Sequence, residues 1–332
     1  MERSMEALNE TGRKVSGAVG RRAVLGLGGA AIVAAGAVLP SAALPRSAGM
    51  RHGDAPTRFV EANGVRYAYR RFGAAQGVPL VFLQHFTGGL DHWDPAVTDG
   101  LGRGRPVILF DNAGVGLSGG AVPPTIEDMA GHVAAFADAL GLQRFDLLGF
   151  SMGGMVAQAY AKQHSDRLRR LILVGTGPRG GDPTPYQAEV AKHARGNGNL
   201  DDFLFLFFGR SEAAVAAGKA FWDRRHQRTT DLDAPIRPES IAAQVAAARD
   251  WALPKGERFA DLKAIAVPTL VVNGSEDVMI PTINSFYLQQ HTPGAQLILY
   301  PDAGHASHFQ YPSLFVEHAG LFLDSPPPGS LA

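Results

Sequence analysis

Short runs of apolar residues recur along the chain without the polar alternation of a strand that has one face in water. The runs cover residues 80–83, 107–110, 145–148, 171–174, 270–272 and 297–300. Parallel strands that are buried on both faces have this pattern. The runs therefore predict a parallel sheet with helices on both sides.

Helical periodicity fills several intervals between these runs. Met129, Val133 and Phe136 lie on one helical face, and a second apolar face covers residues 152–160. Before the first run, residues 58–69 are expected to form an antiparallel hairpin, because Asn-Gly at 63–64 supplies the positive φ of a tight turn. The pattern predicts an α/β fold, a mostly parallel doubly wound sheet with an antiparallel N-terminal hairpin.

One interval is too long for a single crossover helix. About ninety residues separate the run that ends at 174 from the next strand, and they include helical stretches at 212–226 and 238–252. We therefore expect an inserted helical cap. The predicted organisation is an export signal at 1–43, a linker at 44–57, a core at 58–178 and 263–325, a cap at 179–262, and a disordered tail rich in proline at 326–332.

The first 43 residues have the pattern of an export signal. Five basic residues within 1–22 precede an uncharged run at 23–39, and Ser-Ala-Ala at 41–43 supplies the small residues of a cleavage site. Arg21-Arg22, directly before the run, resembles a twin-arginine signal. We expect a periplasmic or extracellular protein with no stable membrane span after cleavage, or a membrane-anchored one if the signal is not cleaved.

Charge and cysteine content exclude several functional classes. Lys+Arg and Asp+Glu each number 31, so the chain has no excess of positive charge and no nucleic acid partner is expected. The sequence contains no cysteine, which excludes disulfides, thiolate metal sites and cysteine nucleophiles. The oligomeric state stays open.

The string G-x-S-x-G occurs twice, around Ser118 and around Ser151. A reactive serine needs a sharp strand-to-helix turn with small neighbours. Ser151 lies between the run at 145–148 and the helical face at 152–160, whereas prolines follow Ser118 before any helix. Ser151 is the predicted nucleophile. The same prolines argue against dinucleotide binding by the G-x-G-x-x-G string at 114–119.

Around Ser151 the chain resembles the α/β-hydrolase superfamily, from about residue 58 to 323. The motifs are Gly-Phe-Ser-Met-Gly-Gly at 149–154, Asp-Asn-Ala-Gly-Val-Gly-Leu-Ser at 111–118, Asn-Gly-Ser-Glu-Asp at 273–277 and Gly-His at 304–305. The order serine, acid, histidine is that of the superfamily. The chain is most similar to the serine hydrolase and cofactor-free haloperoxidase-like branch, because an epoxide hydrolase or haloalkane dehalogenase would carry aspartate at position 151.

A serine hydroxyl needs a base to take its proton, and the base needs a carboxylate to orient it. His305 follows the last strand at the carboxyl edge of the sheet, directly after glycine as in the superfamily; His308 is the alternative and is otherwise expected at a loop or rim. Asp277 follows the run at 270–272 and is the expected carboxylate. The alternative carboxylates are Glu276, Asp302 and Asp182.

The tetrahedral intermediate of acyl transfer needs two amide donors. Met152 N–H directly follows the nucleophile, and Phe86 N–H lies in the loop after the strand at 80–83. Where the superfamily shows His-Gly-x, this chain has Gln-His-Phe at 84–86, so Gly88-Gly89 are expected to supply backbone freedom.

Together these features imply a serine hydrolase that cleaves small or medium hydrophobic esters or lactones through an acyl-Ser151 intermediate, with no metal or other cofactor. Phe203, Phe205, Phe207 and Phe208 in the cap form either an apolar pocket wall or a helical core. The same three residues would also serve perhydrolysis, acyl transfer or C–C bond hydrolysis, and a non-catalytic binding protein is a further alternative.

Overall fold

The computed structural model describes residues 49–185, 187–194 and 198–326. The predicted export signal and the predicted tail beyond residue 326 lie outside the described residues. Within the described ranges, no helix combines the length and the apolar content that a membrane span requires.

Eight strands of the described residues form one sheet. They are β1 (Arg58–Ala62), β2 (Val65–Gly73), β3 (Leu80–Leu83), β4 (Pro106–Phe110), β5 (Phe145–Phe150), β6 (Leu168–Val174), β7 (Thr269–Gly274) and β8 (Gln296–Tyr300). Their order is β1-β2-β4-β3-β5-β6-β7-β8. The pairs β1–β2 and β2–β4 are antiparallel, and the other neighbouring strands are parallel. The predicted fold class is confirmed.

The N-terminal hairpin turns where the sequence predicts. Asn63 and Gly64 have φ angles of 49° and 74°, and Ala62 pairs with Val65 across the turn. Two central residues with positive φ give a turn whose twist matches that of the strand pair.

Helices cover both faces of this sheet. In the described residues they are α1 (Pro95–Gly102), α2 (Ile126–Ala139), α3 (Met152–Gln163), α4 (Ala188–Ala194), α5 (Leu200–Phe207), α6 (Glu212–Arg225), α7 (Pro238–Trp251), α8 (Ile283–His291), α9 (Ser307–Gln310) and α10 (Pro312–Asp324). The helices α4 to α7 form the insertion between β6 and β7. Of these, α6 and α7 lie where helical stretches are predicted.

Alternate residues of β3 enter two separate hydrophobic cores. Val81 and Leu83 pack in the core that includes residues of α2 and α3, whereas Leu80 and Phe82 pack in the core that includes residues of α1 and α10. Successive side chains of a strand point to opposite faces of a sheet. The apolar runs lack polar alternation because both faces are covered.

Local capping starts the helices of the insertion. The Asn199 side chain accepts a hydrogen bond from Asp202 N–H (3.0 Å) and begins α5, and the Ser211 side chain accepts one from Ala214 N–H (3.1 Å) and begins α6. At the other end of the insertion, the indole N–H of Trp251 donates to Gly177 O (3.2 Å) and ties α7 to the core.

Substitution of Phe136 tests the packing of the core between α2 and the sheet. Its ring is fully buried and stacks on Phe110, with the ring centroids 4.2 Å apart. The variant Phe136→Ala is expected to lower the free energy of unfolding by about 3–5 kcal/mol, because it leaves a cavity in a packed interior. Urea unfolding followed by circular dichroism measures this loss.

The matched control is Phe286→Ala, which removes the same side chain from a position that is 47% exposed. Its expected cost is below about 1 kcal/mol. Equal losses in the two variants would contradict the placement of Phe136 in the core.

Candidate active site

Ser151 occupies the tight turn between β5 and α3. Its backbone has φ 55° and ψ −118°, and its N–H donates to Val174 O on the neighbouring strand (2.9 Å). A side chain on Gly149 would overlap the carbonyl of Gly153, and one on Gly153 would overlap the carbonyl of Leu83. Glycine at both flanking positions therefore lets the helix start directly against the ends of two strands, with the serine at its N-terminus.

The hydrogen bonds of Ser118, the other candidate serine, give it a structural role. Ser118 is buried, its hydroxyl donates to Asp111 O (2.8 Å), and the same oxygen accepts from Ala68 N–H (2.9 Å). The two bonds tie the glycine-rich loop after β4 to β2 and to Asp111. Ser118 is thus the loop residue that the sequence predicts.

Ser151, His305 and Asp277 form one hydrogen-bonded row. The distance from Ser151 Oγ to His305 Nε2 is 2.9 Å, and that from His305 Nδ1 to Asp277 Oδ2 is 2.8 Å. The carboxylate accepts from His305 only if Nδ1 carries the proton, which leaves the Nε2 lone pair facing the serine hydroxyl. Ser151 and Asp277 are each 9% exposed and His305 is 1% exposed, so the row is shielded from bulk water.

The remaining oxygen of Asp277 is held by its own loop. Asp277 Oδ1 accepts hydrogen bonds from the N–H groups of Met279 (2.8 Å) and Ile280 (2.9 Å). These two amides fix the carboxylate plane, so that Oδ2 points at the imidazole. This support was not visible in the sequence, where only the position of Asp277 after a strand could be recognised.

The His305 loop is pressed against the insertion. A side chain on Gly304 would lie 2.8 Å from Phe208 O and 2.9 Å from Phe207 O, and Ala306 N–H donates to Phe207 O (2.8 Å). Glycine before the histidine is therefore needed for this close backbone approach. The insertion fixes the imidazole as well as covering it.

His308, the alternative base, lies in the core instead of at the expected rim. It is the second residue of α9 and is fully buried. The centroid of its ring lies 4.5 Å from that of Phe150 and 3.9 Å from that of Phe309. Burial lowers its pKa well below the ordinary value, which keeps it neutral. The expectation of a rim position was wrong because a short helix, and not an open loop, follows His305.

The alternative carboxylates have other partners. Glu276 bonds to the hydroxyl of Ser275 (3.3 Å), Asp302 accepts from the hydroxyl of Ser211, and Asp182 pairs with Arg258. None of these bonds leads to His305. Among the candidates, Asp277 is the carboxylate that contacts the imidazole.

The predicted oxyanion donors lie on two adjoining segments. Met152 is the first residue of α3, and Phe86 lies in the loop after β3; the two segments meet where Gly153 packs against the carbonyls of Leu83 and Gln84. No other residue in the described ranges accepts a hydrogen bond from the Met152 or Phe86 N–H. Among the described residues, the two amides therefore have no protein acceptor, and their role as oxyanion donors stays a prediction.

Hydrogen bonds from side chains shape the Phe86 loop. The Gln84 side chain accepts from His85 N–H (2.8 Å), the His85 Nδ1–H donates to Phe86 O (2.6 Å), and Gln244 of α7 accepts from Thr87 N–H (2.8 Å). The positive φ in this loop, 63°, belongs to Thr87. A side chain on Gly88 would overlap that of Gln84, so glycine is needed there for close packing. The backbone freedom expected of Gly88-Gly89 stays a prediction.

His85 stays neutral in this loop. The side chain is buried, and burial lowers its pKa to about 3. A neutral ring with its proton on Nδ1 is the tautomer that donates to Phe86 O. His85, which stands where the superfamily has glycine, thus orients the peptide group that follows the predicted donor, Phe86 N–H.

Some of the aromatic residues of the insertion form a wall of the site, and others pack away from it. The Phe207 ring lies 5.6 Å from that of His305 and 5.3 Å from that of His85, so it forms an apolar side of the site. Phe208 packs on Phe221 (5.7 Å between ring centroids) within the core, and Phe205 stacks on His193 (4.2 Å). Only part of this aromatic stretch therefore faces the site.

The described residues contain no group of three or more histidine, aspartate or glutamate side chains arranged to hold a metal ion.

Comparison with known proteins decides the family. A family model described as alpha/beta hydrolase fold matches residues 78–312, which is more than half of the chain. The chain belongs to the α/β-hydrolase fold family. Like other members, this α/β hydrolase is an enzyme that acts on a small-molecule substrate.

Its relatives include hydrolases of several kinds. A solved α/β-hydrolase fold protein from Chitinophaga pinensis is 42% identical, with a TM-score of 0.79 over 83% of this chain and 100% of that one. A 2-hydroxymuconate semialdehyde hydrolase of Pseudomonas sp. (strain CF600) is 29% identical over 80% of this chain and 93% of its own. A pimeloyl-[acyl-carrier protein] methyl ester esterase of Neisseria meningitidis is 30% identical over 78% of this chain and 98% of its own. The names cover more than one substrate.

Substitution of Ser151 tests the strained turn. Ser151→Gly and Ser151→Ala both remove the hydroxyl, but only glycine adopts φ 55° without a steric penalty. We expect the glycine variant to be more stable than the alanine variant by about 1 kcal/mol, since release of strain outweighs the larger entropy of unfolded glycine. Urea unfolding of both variants measures the difference.

The control pair is Ser118→Gly and Ser118→Ala, at a position without positive φ. There the order is expected to reverse, with alanine the more stable. The same order at both positions would show that Ser151 carries no special strain.

Proposed function

We propose that this α/β hydrolase cleaves small or medium hydrophobic carboxylic esters or lactones through an acyl-Ser151 intermediate. The row from Ser151 Oγ through His305 to Asp277 carries the proposal, with bonds of 2.9 and 2.8 Å. The Phe207 ring beside His305 suits an apolar acyl group. The relative from Neisseria meningitidis, named as a methyl ester esterase, supports ester cleavage.

In the acylation half of this reaction, His305 Nε2 takes the proton of Ser151 as Oγ attacks the carbonyl carbon. The oxygen that becomes negative accepts hydrogen bonds from Met152 N–H and Phe86 N–H. The C–O bond of the ester then breaks, and the leaving alcohol oxygen receives the proton from Nε2. Asp277 stabilises the imidazolium that exists between these two transfers.

In the second half, water replaces the alcohol. His305 Nε2 takes a proton from water, the resulting hydroxide oxygen bonds to the acyl carbon, and the bond from that carbon to Ser151 Oγ breaks as Nε2 returns the proton to Oγ. The product is a carboxylic acid. Ser151 and His305 end the cycle in the protonation states in which they began it.

C–C bond hydrolysis is the second candidate, favoured by the similarity to 2-hydroxymuconate semialdehyde hydrolase. Interception of the acyl-enzyme by peroxide or an alcohol would use the same residues. A panel of p-nitrophenyl esters, lactones and 2-hydroxymuconate semialdehyde, with and without peroxide, distinguishes these reactions. Export through a twin-arginine signal stays part of the proposal for the full chain.

Covalent labelling tests the nucleophile. The purified chain is expected to react with a fluorophosphonate at Ser151, and the adduct is located by peptide mass spectrometry. Ser151→Ala should lose labelling and reduce kcat by about 10⁶-fold while keeping its circular dichroism spectrum. The control Ser118→Ala should label as the wild type does. An adduct on another residue, or hydrolysis by Ser151→Ala at the wild-type rate, refutes the proposal.

Asp277→Asn tests the orienting carboxylate. The amide still accepts from Met279 and Ile280 N–H, but its NH₂ group faces His305 Nδ1 and favours the wrong tautomer. We expect kcat to fall by about 10⁴-fold. The adjacent exposed residue provides the control, since Glu276→Gln should retain wild-type kcat. A larger effect from Glu276→Gln would mean that the imidazole has a different partner.

A further inference from the structure

Two carboxylates from distant parts of the chain meet next to the site. Asp111 directly follows β4, and Asp233 lies in the segment between α6 and α7. Both accept hydrogen bonds from Leu90 N–H, at 2.9 Å to Asp111 Oδ1 and 3.0 Å to Asp233 Oδ2. Both also accept from Leu117 N–H, at 3.1 Å to Asp111 Oδ2 and 3.0 Å to Asp233 Oδ1. The two carboxyl groups therefore lie face to face on the same pair of amides.

The surrounding backbone is shaped for this pair. A side chain on Gly89 would overlap Asp233 Oδ2, and one on Gly116 would overlap oxygens of both carboxyl groups. Gly116 also has φ 53°. Glycine at these two positions leaves room for two carboxyl groups and for no further side chain.

Two negative charges at this separation and depth are unfavourable, so the pair is stable when it holds one proton between its oxygens. Asp111 is 1% exposed. Burial and the neighbouring Asp233 raise the pKa of Asp111 well above its ordinary value, and burial and Asp91 raise the pKa of Asp233.

Other charged and titratable groups lie on the elements next to the pair. They are Asp91 and His92 after Leu90, Arg70 on β2, Arg228 and Asp231 in the segment before Asp233, and Arg237 at the start of α7. Arg70 bonds to Asp91, Arg228 to Asp231, and Arg237 to the carbonyls of Gly114 and Gly120. Burial lowers the pKa of His92 well below its ordinary value. Within the described ranges, no cation bonds to either carboxyl group of the pair.

The pair joins three segments that border the site. Leu90 ends the loop that carries Phe86, Leu117 belongs to the glycine-rich loop after β4, and Asp233 belongs to the insertion. Asp233 N–H also donates to Asp91 Oδ2 (2.6 Å), which secures the same segment. Displacement of the pair would therefore move the Phe86 loop relative to Ser151.

We propose that Asp111 and Asp233 share one proton and act as positioning residues, which hold the Phe86 loop and the α6–α7 segment in place for catalysis. This inference rests on the proposed hydrolysis. The proton stabilises the folded arrangement at low pH, where the pair is protonated. That stabilisation is lost as pH rises through the raised pKa, because the second ionisation places two like charges together.

The pH profile of kcat tests positioning. Wild-type kcat should fall by about tenfold per pH unit above the second ionisation of the pair. Asp233→Asn cannot ionise and so removes the second ionisation, and this fall should therefore disappear at whatever level of kcat the variant retains. Asp233→Ala removes the link and should lower kcat at every pH. The control Asp231→Asn should show the wild-type profile. A fall that persists in Asp233→Asn overturns the positioning role.

Infrared spectroscopy tests the shared proton without any turnover. The wild type at neutral pH should show the carbonyl band of a protonated carboxyl group, shifted in D₂O, and Asp233→Asn should remove or shift this band because the proton then has no second carboxylate as its partner. The absence of a band that depends on Asp233 refutes the shared proton even if Ser151 reacts with fluorophosphonate. If the band is present but Ser151 does not react with fluorophosphonate, the shared proton is supported. The proposed hydrolysis, and the positioning role that rests on it, are then refuted.

Discussion

Ser151 holds φ 55° and ψ −118°, a backbone conformation that an L-amino acid adopts only where its surroundings impose it. The imposing contacts are those of Gly149 and Gly153, whose missing side chains let β5, β3 and the start of α3 approach each other closely. The turn lifts the hydroxyl out of the sheet and directs the N-terminus of α3 toward the same point. In the proposed mechanism, the imidazole and the two oxyanion donors act at this turn.

The insertion does more than cover the site. Its Phe207 carbonyl accepts from Ala306 N–H, directly after the histidine, and its Gln244 accepts from Thr87 N–H in the loop that carries Phe86. Asp233 adds a third connection through the amides of Leu90 and Leu117. The insertion is therefore bonded to the His305 loop and to the Phe86 loop, so changes in its packing would move the proposed base and the proposed oxyanion donor.

Burial sets the state of the histidines around the site. His85, His92 and His308 are neutral because burial disfavours their charged forms. Two of these neutral rings, those of His85 and His308, interact with His305. Their neutrality limits the positive charge around the proposed base. In the proposed mechanism, this environment favours one transient imidazolium, with Asp277 as its counter-charge.

The sequence by itself determined the sheet, since doubly buried strands must be apolar throughout, and it determined Ser151, since the residues around a sharp strand-to-helix turn are local. It also named His305 and Asp277, because parallel strands bring their carboxyl ends to one edge. Only the tertiary structure decided that His308 lies in the core, that His85 and Gln244 shape the Phe86 loop, and that Asp111 meets Asp233. Those contacts join residues far apart in the chain, and no local pattern encodes the packing of the insertion that brings them together.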